Sequence, residues 1–519
     1  MTDYDYVVVG GGTAGCVLAA RLSEDPGARV LLLEAGDAGQ DPAIDTPASW
    51  PALIGTGAEW GSVTVAQADA GVLPYPRGKV LGGSGAINAM AHIRGHRAVY
   101  DAWAAAGADG WGFDDLLPYF RRSETAPGRD PALRGTSGPV QVAPAPEEDR
   151  HPAARALAEA LLALGYPGTG DLSGGQQEGV AWPDLAISGG HRVSPAGAYL
   201  LPARSRRNLT VLAGSLVTRL IIAGGRCTGA EYLHDGSTRI ADALEEVVVC
   251  AGAIGTPQLL MLSGIGPAAH LRDRGIRVAA ALPGVGGNLQ DHPVVMACYA
   301  PAGPLPRSRF NHGETYSALR SPLSGRWPDL HLFPILMPVA PPGCEAPAGG
   351  FALVASAMAP ASRGTVRLAS ASPAAAPLID PGFLRDPADL ARLETGLLII
   401  RDAAASTPFT RLGLTESWPG PGTPAEGLRQ WIKRTIGSYY HPSGTCRIGP
   451  RPDEGAVVNA QLKVYGVDGL RVADASVMPV IPNAPLHATV LAIAERAASL
   501  IRADHGPRPR PATANRKEG

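Results

Sequence analysis

The 519-residue sequence has no uncharged apolar run of the roughly 18 residues that cross a bilayer; the closest approach is Gly349 to Pro360. No membrane span is expected. Neither sign of charge dominates: 45 Lys and Arg stand against 47 Asp and Glu, a net charge of -2, with no block of like charge before the last few residues. That balance argues against a nucleic-acid partner. Aromatic residues are few (7 Phe, 8 Trp, 13 Tyr), whereas 65 Gly and 49 Pro exceed the usual share and favour many turns and close backbone approaches. The six cysteines, Cys16, Cys227, Cys250, Cys298, Cys344 and Cys446, are scattered without CxxC spacing and are expected to be buried free thiols. Histidines and carboxylates show no metal-ligand spacing, so no metal is expected. Met1 is followed by Thr2, Asp3, Tyr4 and Asp5, acidic where a secretory leader is basic, which predicts a cytoplasmic protein. At about 100 to 200 residues per domain, two to four structural units fit this length.

What is present begins at once. Tyr4 to Val9 is an apolar strand, Gly10-Gly11-Gly12-Thr13-Ala14-Gly15 a turn, Cys16 to Leu22 a helical pattern, and Arg29 to Leu33 a second strand ending at Glu34. In Gly10-x-Gly12-x-x-Gly15 the glycines serve a tight turn, a close approach to pyrophosphate and a helix-strand contact, and the helix N-terminus offers free N–H groups. Glu34 is placed to take the ribose hydroxyls. A dinucleotide is therefore expected, and the fingerprint alone leaves NAD and FAD both open.

Later segments return to the same sheet. Ala243 to Cys250 is a strand entering Ala251 to Pro257 and a helix bearing Leu259, Leu260 and Leu262; Gly469 to Ala475 is a short strand running into a loop, and Ala488 to Ile501 a closing helix. The fold class is α/β (α+β overall): a Rossmann-like nucleotide domain assembled from distant segments, 1–155, 195–300 and 450–505, with an inserted sheet-containing domain at 156–194 and 301–449. Strand-like runs in the insert are Asp329 to Ile335, Phe351 to Met358 and Thr365 to Leu368, and the Pro- and Arg-rich tail, 506–519, is expected to be disordered.

From Tyr4 to about Arg502 the chain resembles the glucose-methanol-choline (GMC) family of flavoprotein oxidoreductases. Besides the N-terminal turn, the resemblance rests on Gly78-Lys79-Val80-Leu81-Gly82-Gly83-Ser84-Gly85-Ala86-Ile87-Asn88, on Gly252 to Leu260 with Ser263 to Gly266, on Gly284 to His292, and on His441-Pro442-Ser443-Gly444-Thr445-Cys446, in the family's order. It implies FAD as cofactor, a substrate domain whose antiparallel sheet roofs the flavin, and cofactor contacts at Gly10, Gly12, Thr13, Ala14, Gly15, Glu34 and Ala35 in the first unit. It also implies contacts at Leu81, Gly82, Gly83 and Asn88 in the glycine-rich loop, at Trp60 and Val217 near flavin and adenine, and at Ala253, Asp474, Ala475 and Ala488. Some members attach FAD covalently through a histidine just before the asparagine; Ile87 stands there in this sequence, so noncovalent FAD is expected.

Alcohol oxidation needs a base of near-neutral pKa for the hydroxyl proton while hydride leaves carbon for flavin N5, which points to histidine. The resemblance assigns His441 as that base and His487, counted back from Ala492-Ile493-Ala494-Glu495, as its partner. Asn483 competes if the register of Asn483-Ala484-Pro485-Leu486-His487 slips. His92, at a position usually aromatic in the family, and Tyr440 are candidate substrate residues, with a structural role for His92 equally open; His96 is expected to be structural. Asn459 replaces a frequent aspartate of the family.

The expected reaction is oxidation of a neutral primary alcohol, benzylic or allylic, with oxygen or a quinone-type carrier as electron acceptor, by a monomer or homodimer. Choline is disfavoured because Pro301 to Thr435 offers few aromatics for a cation cage: Phe310, Tyr316, Trp327, Phe333, Phe351, Phe383, Phe409 and Trp418. The alternative within the fold is an FAD-containing lyase of the hydroxynitrile type or a light-driven fatty acid decarboxylase. A serine hydrolase is excluded because Gly82 to Ala86 lacks a GxSxG elbow.

Overall fold

The computed structural model describes residues 3–506; of the tail expected to be disordered, all but Gly506 lies outside the described residues. Tyr4–Val9 is apolar and buried on both faces, as a central parallel strand must be, and lies inside a seven-stranded sheet. The order is Leu209–Leu212, Val30–Leu33, Tyr4–Val9, Ser237–Val249, Arg226–His234, Ser215–Ala223, with Leu470–Val472 also paired to Ser237–Val249. Ser237–Val249 serves two purposes. Its exposed first half pairs antiparallel with Arg226–His234, and its buried second half pairs parallel with Tyr4–Val9.

Helix Thr13–Leu22 covers this sheet and meets the C-terminal helix His487–His505, whose alanines allow close packing. The fully buried Glu495 joins the two ends of the chain: its carboxylate accepts from Arg21 NH2 (2.8 Å), Arg122 Nε (2.6 Å) and Tyr199 OH (2.9 Å). The nucleotide unit is thus closed by segments about as far apart in sequence as the chain allows.

The second large sheet is antiparallel, in the order Thr415–Trp418, Pro293–Ala300, Phe351–Ala357, Leu330–Ile335, Tyr316–Leu319, Gly179–Ala181, with Gly437–Ser438 also on Pro293–Ala300. Alternation sorts its side chains. Val295, Ala297, Leu330, Leu332, Leu353 and Ala355 join a core with helix Pro387–Ala405, while Val294, Tyr316, Ala318, Phe333 and Val354 face the opposite way, toward Ala91, Ile93 and Ala484. The strand Pro293–Ala300, assigned from sequence to the nucleotide domain, lies in this second sheet, because its two buried faces need partners that only the insert supplies. Of the expected insert strands, Thr365–Arg367 lies elsewhere, in a two-stranded ribbon with Leu378–Asp380. All six cysteines are free, five buried and Cys344 half-buried. Among the described residues no helix is long and apolar enough to cross a membrane, and no group of metal-ligating side chains occurs.

Candidate active site

The glycine-rich turn makes the helix-strand contact that its spacing predicts. A Cβ on Gly15 would stand 1.8 Å from the Gly10 carbonyl oxygen, so only glycine lets the helix seat against the first strand. Gly12 caps helix Thr13–Leu22 with no side-chain partner, and a Cβ there would meet nothing nearer than Gly83 Cα at 3.8 Å. The helix N-terminus therefore opens onto free space bounded by the Gly82–Gly83 loop, which is tied down by Gly82 N–H donating to Gly11 O (2.8 Å). Leu81 and the buried Ala14 line this crossing, and Thr13 Oγ1 sits against Gly85.

Glu34 is buried at the end of the second strand, where Gly11 N–H (2.6 Å) and Gly36 N–H (2.8 Å) donate to its carboxylate. Burial raises its pKa against these bonds. Gly214 and Ser215 donate to the carbonyls of Gly36 and Glu34, which brings Val217 and the half-buried Ala35 to the same end of the sheet. In the glycine-rich loop Asn88 Oδ1 accepts from Met90 N–H and Arg192 NH1, leaving Nδ2 as the donor. An open helix N-terminus, a buried acid at ribose distance in sequence and a glycine crossing are the features a dinucleotide needs, so the residues present fit FAD.

Trp60 is 46% exposed, with the Lys79 ammonium over its ring. Asp474 is present but fully committed, accepting from Gly252 N–H (2.8 Å), Thr256 Oγ1 (2.6 Å) and Ser476 N–H (2.8 Å), so it anchors helix Gly252–Leu262. Ala475 O accepts from Gly444 N–H, Ala253 O from Thr445 Oγ1, and Ala488 is buried in the first turn of the C-terminal helix.

These bonds zip three distant motifs together. Gln290 and Ser443 exchange backbone hydrogen bonds, Cys446 N–H reaches Ser476 O, and Asp291 holds the loop that carries His441: Oδ1 accepts from His441 N–H (2.8 Å), Oδ2 from Tyr75 OH (2.6 Å) and from Ser438 Oγ. His441 Nδ1 lies 2.9 Å from His292 Nδ1, their rings edge to face. One nitrogen must donate and the other accept. The carbonyls of Met358 and Pro482 face the His292 ring, though His292 Nε2 falls outside strict hydrogen-bond geometry. In the tautomer with the proton on His292 Nε2, His441 donates from Nδ1 and keeps its Nε2 lone pair free.

Burial, then the Arg77 guanidinium and His331, hold His441 well below the ordinary histidine pKa. Burial, with His441 and His331, does the same to His292, and burial alone pushes His331 down to about 3. Tyr439 stacks on His441 (4.3 Å between ring centres) and continues through Phe333 (4.7 Å) to Tyr316 (5.1 Å). Its neighbour Tyr440, the sequence candidate, is 38% exposed with positive φ, and its carbonyl accepts from Arg77 (2.7 Å).

His487 is buried as the first residue of the 19-residue C-terminal helix, and neither ring nitrogen has a partner. Burial, then His92 and Arg192, push it down to about 3, and the positive end of the helix dipole acts in the same sense. No hydrogen bond joins it to His441. Asn483 does not compete, since Oδ1 accepts from His96 N–H (2.7 Å) and Nδ2 donates to Pro328 O (2.9 Å). His96 caps helix Arg97–Ala105 through Nδ1, and Asn459 Oδ1 accepts from Gln461 and Lys463 N–H, closing a turn. His92 is wholly buried, 2.8 Å from Glu124 through Nε2, its ring edge to face with His487 at 6.0 Å. Sequence reasoning gave no role to Asp291, His292, His331, Tyr439 or Glu124. The first two sit in the quoted Gly284 to His292 motif and were within reach; the others carry no local signal.

Comparison with known proteins identifies the family. Family profiles described as GMC oxidoreductase match residues 4–294 and 360–494. The mitochondrial choline dehydrogenase of Homo sapiens is 38% identical over 96% of this chain and 90% of its own length. An oxygen-dependent choline dehydrogenase of Photobacterium profundum is 36% identical over 96% and 93%. The crystal structure of pyridoxine 4-oxidase from Mesorbium loti superposes with a TM-score of 0.93 at 37% identity, covering 97% of this chain and all of that one. The chain belongs to the GMC oxidoreductase family, as an FAD-dependent enzyme that acts on alcohols.

Proposed function

We propose that the protein oxidises a primary alcohol on an aromatic or allylic carbon to the aldehyde, with His441 as general base and FAD held noncovalently. The observation that carries this reading is the His441 imidazole: half-buried, held neutral, anchored through its backbone to Asp291 and paired through Nδ1 with His292, so that Nε2 is the nitrogen open to a substrate proton. The helix N-terminus at Gly12 would hold the pyrophosphate and Glu34 the ribose. Bound FAD supplies the acceptor, at N5, for the carbinol hydride. Nε2 of His441 takes the hydroxyl proton, and the second neutral imidazole, His487, donates an N–H to the oxygen as negative charge develops. The Tyr439, Phe333 and Tyr316 column packs on the His441 ring, and its apolar ring edges suit an aryl group beside that imidazole. Pyridoxine, named in the similar crystal structure, is an aromatic primary alcohol, which supports the ring preference. The choline dehydrogenase relatives favour a second reading, in which the same column faces a quaternary ammonium.

The test is anaerobic mixing of the holoenzyme with aryl, allylic, aliphatic and choline-type alcohols while the oxidised flavin band is followed. Bleaching by benzylic alcohols supports the first reading and bleaching by choline alone the second; admitting air then separates oxidase from dehydrogenase. His441→Ala is expected to keep FAD and to slow reduction by about 100- to 10,000-fold. Undiminished reduction in that variant removes His441 as base.

A further inference from the structure

A buried ionic cluster lies behind the second histidine. Glu124 Oε1 accepts from Arg94 NH2 (2.6 Å) and Arg134 Nε (2.7 Å), Arg134 reaches Asp171 and Asp184 (2.6 Å each), and Arg129 binds Asp184 (2.7 Å). Three guanidiniums thus meet three carboxylates, and His92 adds one more bond, from Nε2 to Glu124 Oε2 (2.8 Å). Burial opposes it, but Arg94, His92 and Arg134 keep Glu124 well below the usual carboxylate range, so this carboxylate only accepts. In the neutral ring this places the His92 proton on Nε2 and leaves Nδ1 as an acceptor. That atom is buried and has no partner, as are both ring nitrogens of His487 against which His92 packs.

The donor and acceptor balance of this pair bears on the substrate. Neutral His487 offers one N–H and one lone pair, and His92 offers one lone pair. On the reading above, which this argument assumes, the carbinol proton goes to His441 and the carbinol oxygen accepts from His487. Two buried acceptors remain. We propose that His92, oriented by Glu124, is a specificity-determining residue of the substrate pocket, and that the enzyme prefers alcohols bearing a second O–H or N–H donor beside the carbinol group. Glu124 is the positioning residue, acting through His92. An acceptor left unpaired in a buried site costs enough to depress binding of a donor-free analogue by about 10- to 100-fold.

The holoenzyme is mixed anaerobically with 2-, 3- and 4-hydroxybenzyl alcohol and with the methoxy counterpart of each, which keeps the oxygen and removes the donor. At least one hydroxy isomer is expected to reduce the flavin about tenfold or more faster, per unit concentration, than its methoxy partner, and His92→Phe is expected to bring that ratio close to one. Equal rates for all three pairs in the unaltered enzyme, as an ordered water in place of the donor would give, overturn the proposal, and so does a ratio that survives in His92→Phe. A second measurement needs no turnover: in holoenzyme with 15N-labelled histidine, His92 is expected as the Nε2–H tautomer, with an Nδ1 resonance that moves on adding hydroxybenzamides and not methoxybenzamides. The Nδ1–H tautomer, or a resonance indifferent to both, overturns it. Should no alcohol reduce the flavin, the alcohol-oxidation reading fails, and the nuclear magnetic resonance result still decides whether His92 Nδ1 accepts from a ligand.

Discussion

Each active-site histidine is described by what occupies its nitrogens. His441 spends Nδ1 on His292 and keeps Nε2, His92 spends Nε2 on Glu124, and His487 spends neither. Because burial, Arg77 and His331 lower the His441 pKa, the base form persists as the solution is acidified. The rate constant for flavin reduction is expected to stay level through pH 6, with its acid limb well below the ordinary histidine value of about 6.5; stopped-flow reduction across pH checks this, and a limb near 6.5 contradicts it. Asp291→Ala strands the Tyr75 hydroxyl, the Ser438 hydroxyl and the His441 N–H in a buried place. Urea unfolding is expected to show a loss of about 2 to 4 kcal/mol, and reduction to slow as the His441 loop loosens. From sequence, His441 and His487 could be chosen because motif order placed them. His292 and Tyr439 could not, because an imidazole bond and a ring stack depend on side-chain directions that no spacing encodes.

Secondary elements divide the binding task between backbone and side chain. Gly15 and Gly12 occupy one turn and answer to different constraints: at Gly15 a Cβ strikes the Gly10 carbonyl at 1.8 Å, and at Gly12 it enters open space in front of the helix. Gly15→Ala is therefore expected to destabilise the apoprotein by about 1 to 3 kcal/mol. Gly12→Ala should leave apoprotein stability within about 0.5 kcal/mol and weaken FAD binding. Thermal melting of the apoprotein and fluorescence titration with FAD separate the two; equal destabilisation by both substitutions contradicts the assignment. Four strands of the first sheet, Tyr4–Val9, Val30–Leu33, the end of Ser237–Val249 and Leu470–Val472, were legible because they are apolar and lie beside glycine turns, whereas the half-buried Leu209–Leu212, Ser215–Ala223 and Arg226–His234 carried no such signal. Pro293–Ala300 was misplaced because a strand buried on both faces has the same pattern in either sheet.

At the scale of the whole molecule, His151, His292, His331 and His487 are buried and His441 is half-buried among the described residues, and burial is the leading cause that lowers the pKa of each. Their folded values lie below the unfolded value of about 6.5, so the unfolded chain binds more protons as pH drops. The stability they permit is complete above that value and is lost progressively toward about 3, the folded value of His331 and His487. Each contributes a slope of about 1.4 kcal/mol per pH unit in that window. The urea midpoint is expected to fall between pH 6.5 and 4, and His331→Phe to flatten the fall; an identical slope in that variant contradicts the account.

The sequence by itself determined the strand-turn-helix nucleotide motif and the family, and it supplied His441 and His487 as candidates, because glycine spacing, apolar periodicity and motif order are local properties written along the chain. Only the tertiary structure decided which nitrogens are paired, that Asp474 ties helix Gly252–Leu262 to the C-terminal loop, that the Asn483 amide is spent on His96 and Pro328, and that Glu124 stands behind His92. Those outcomes depend on hydrogen-bond partners more than thirty residues away, and a polar group's function is set by what its partners leave unsatisfied.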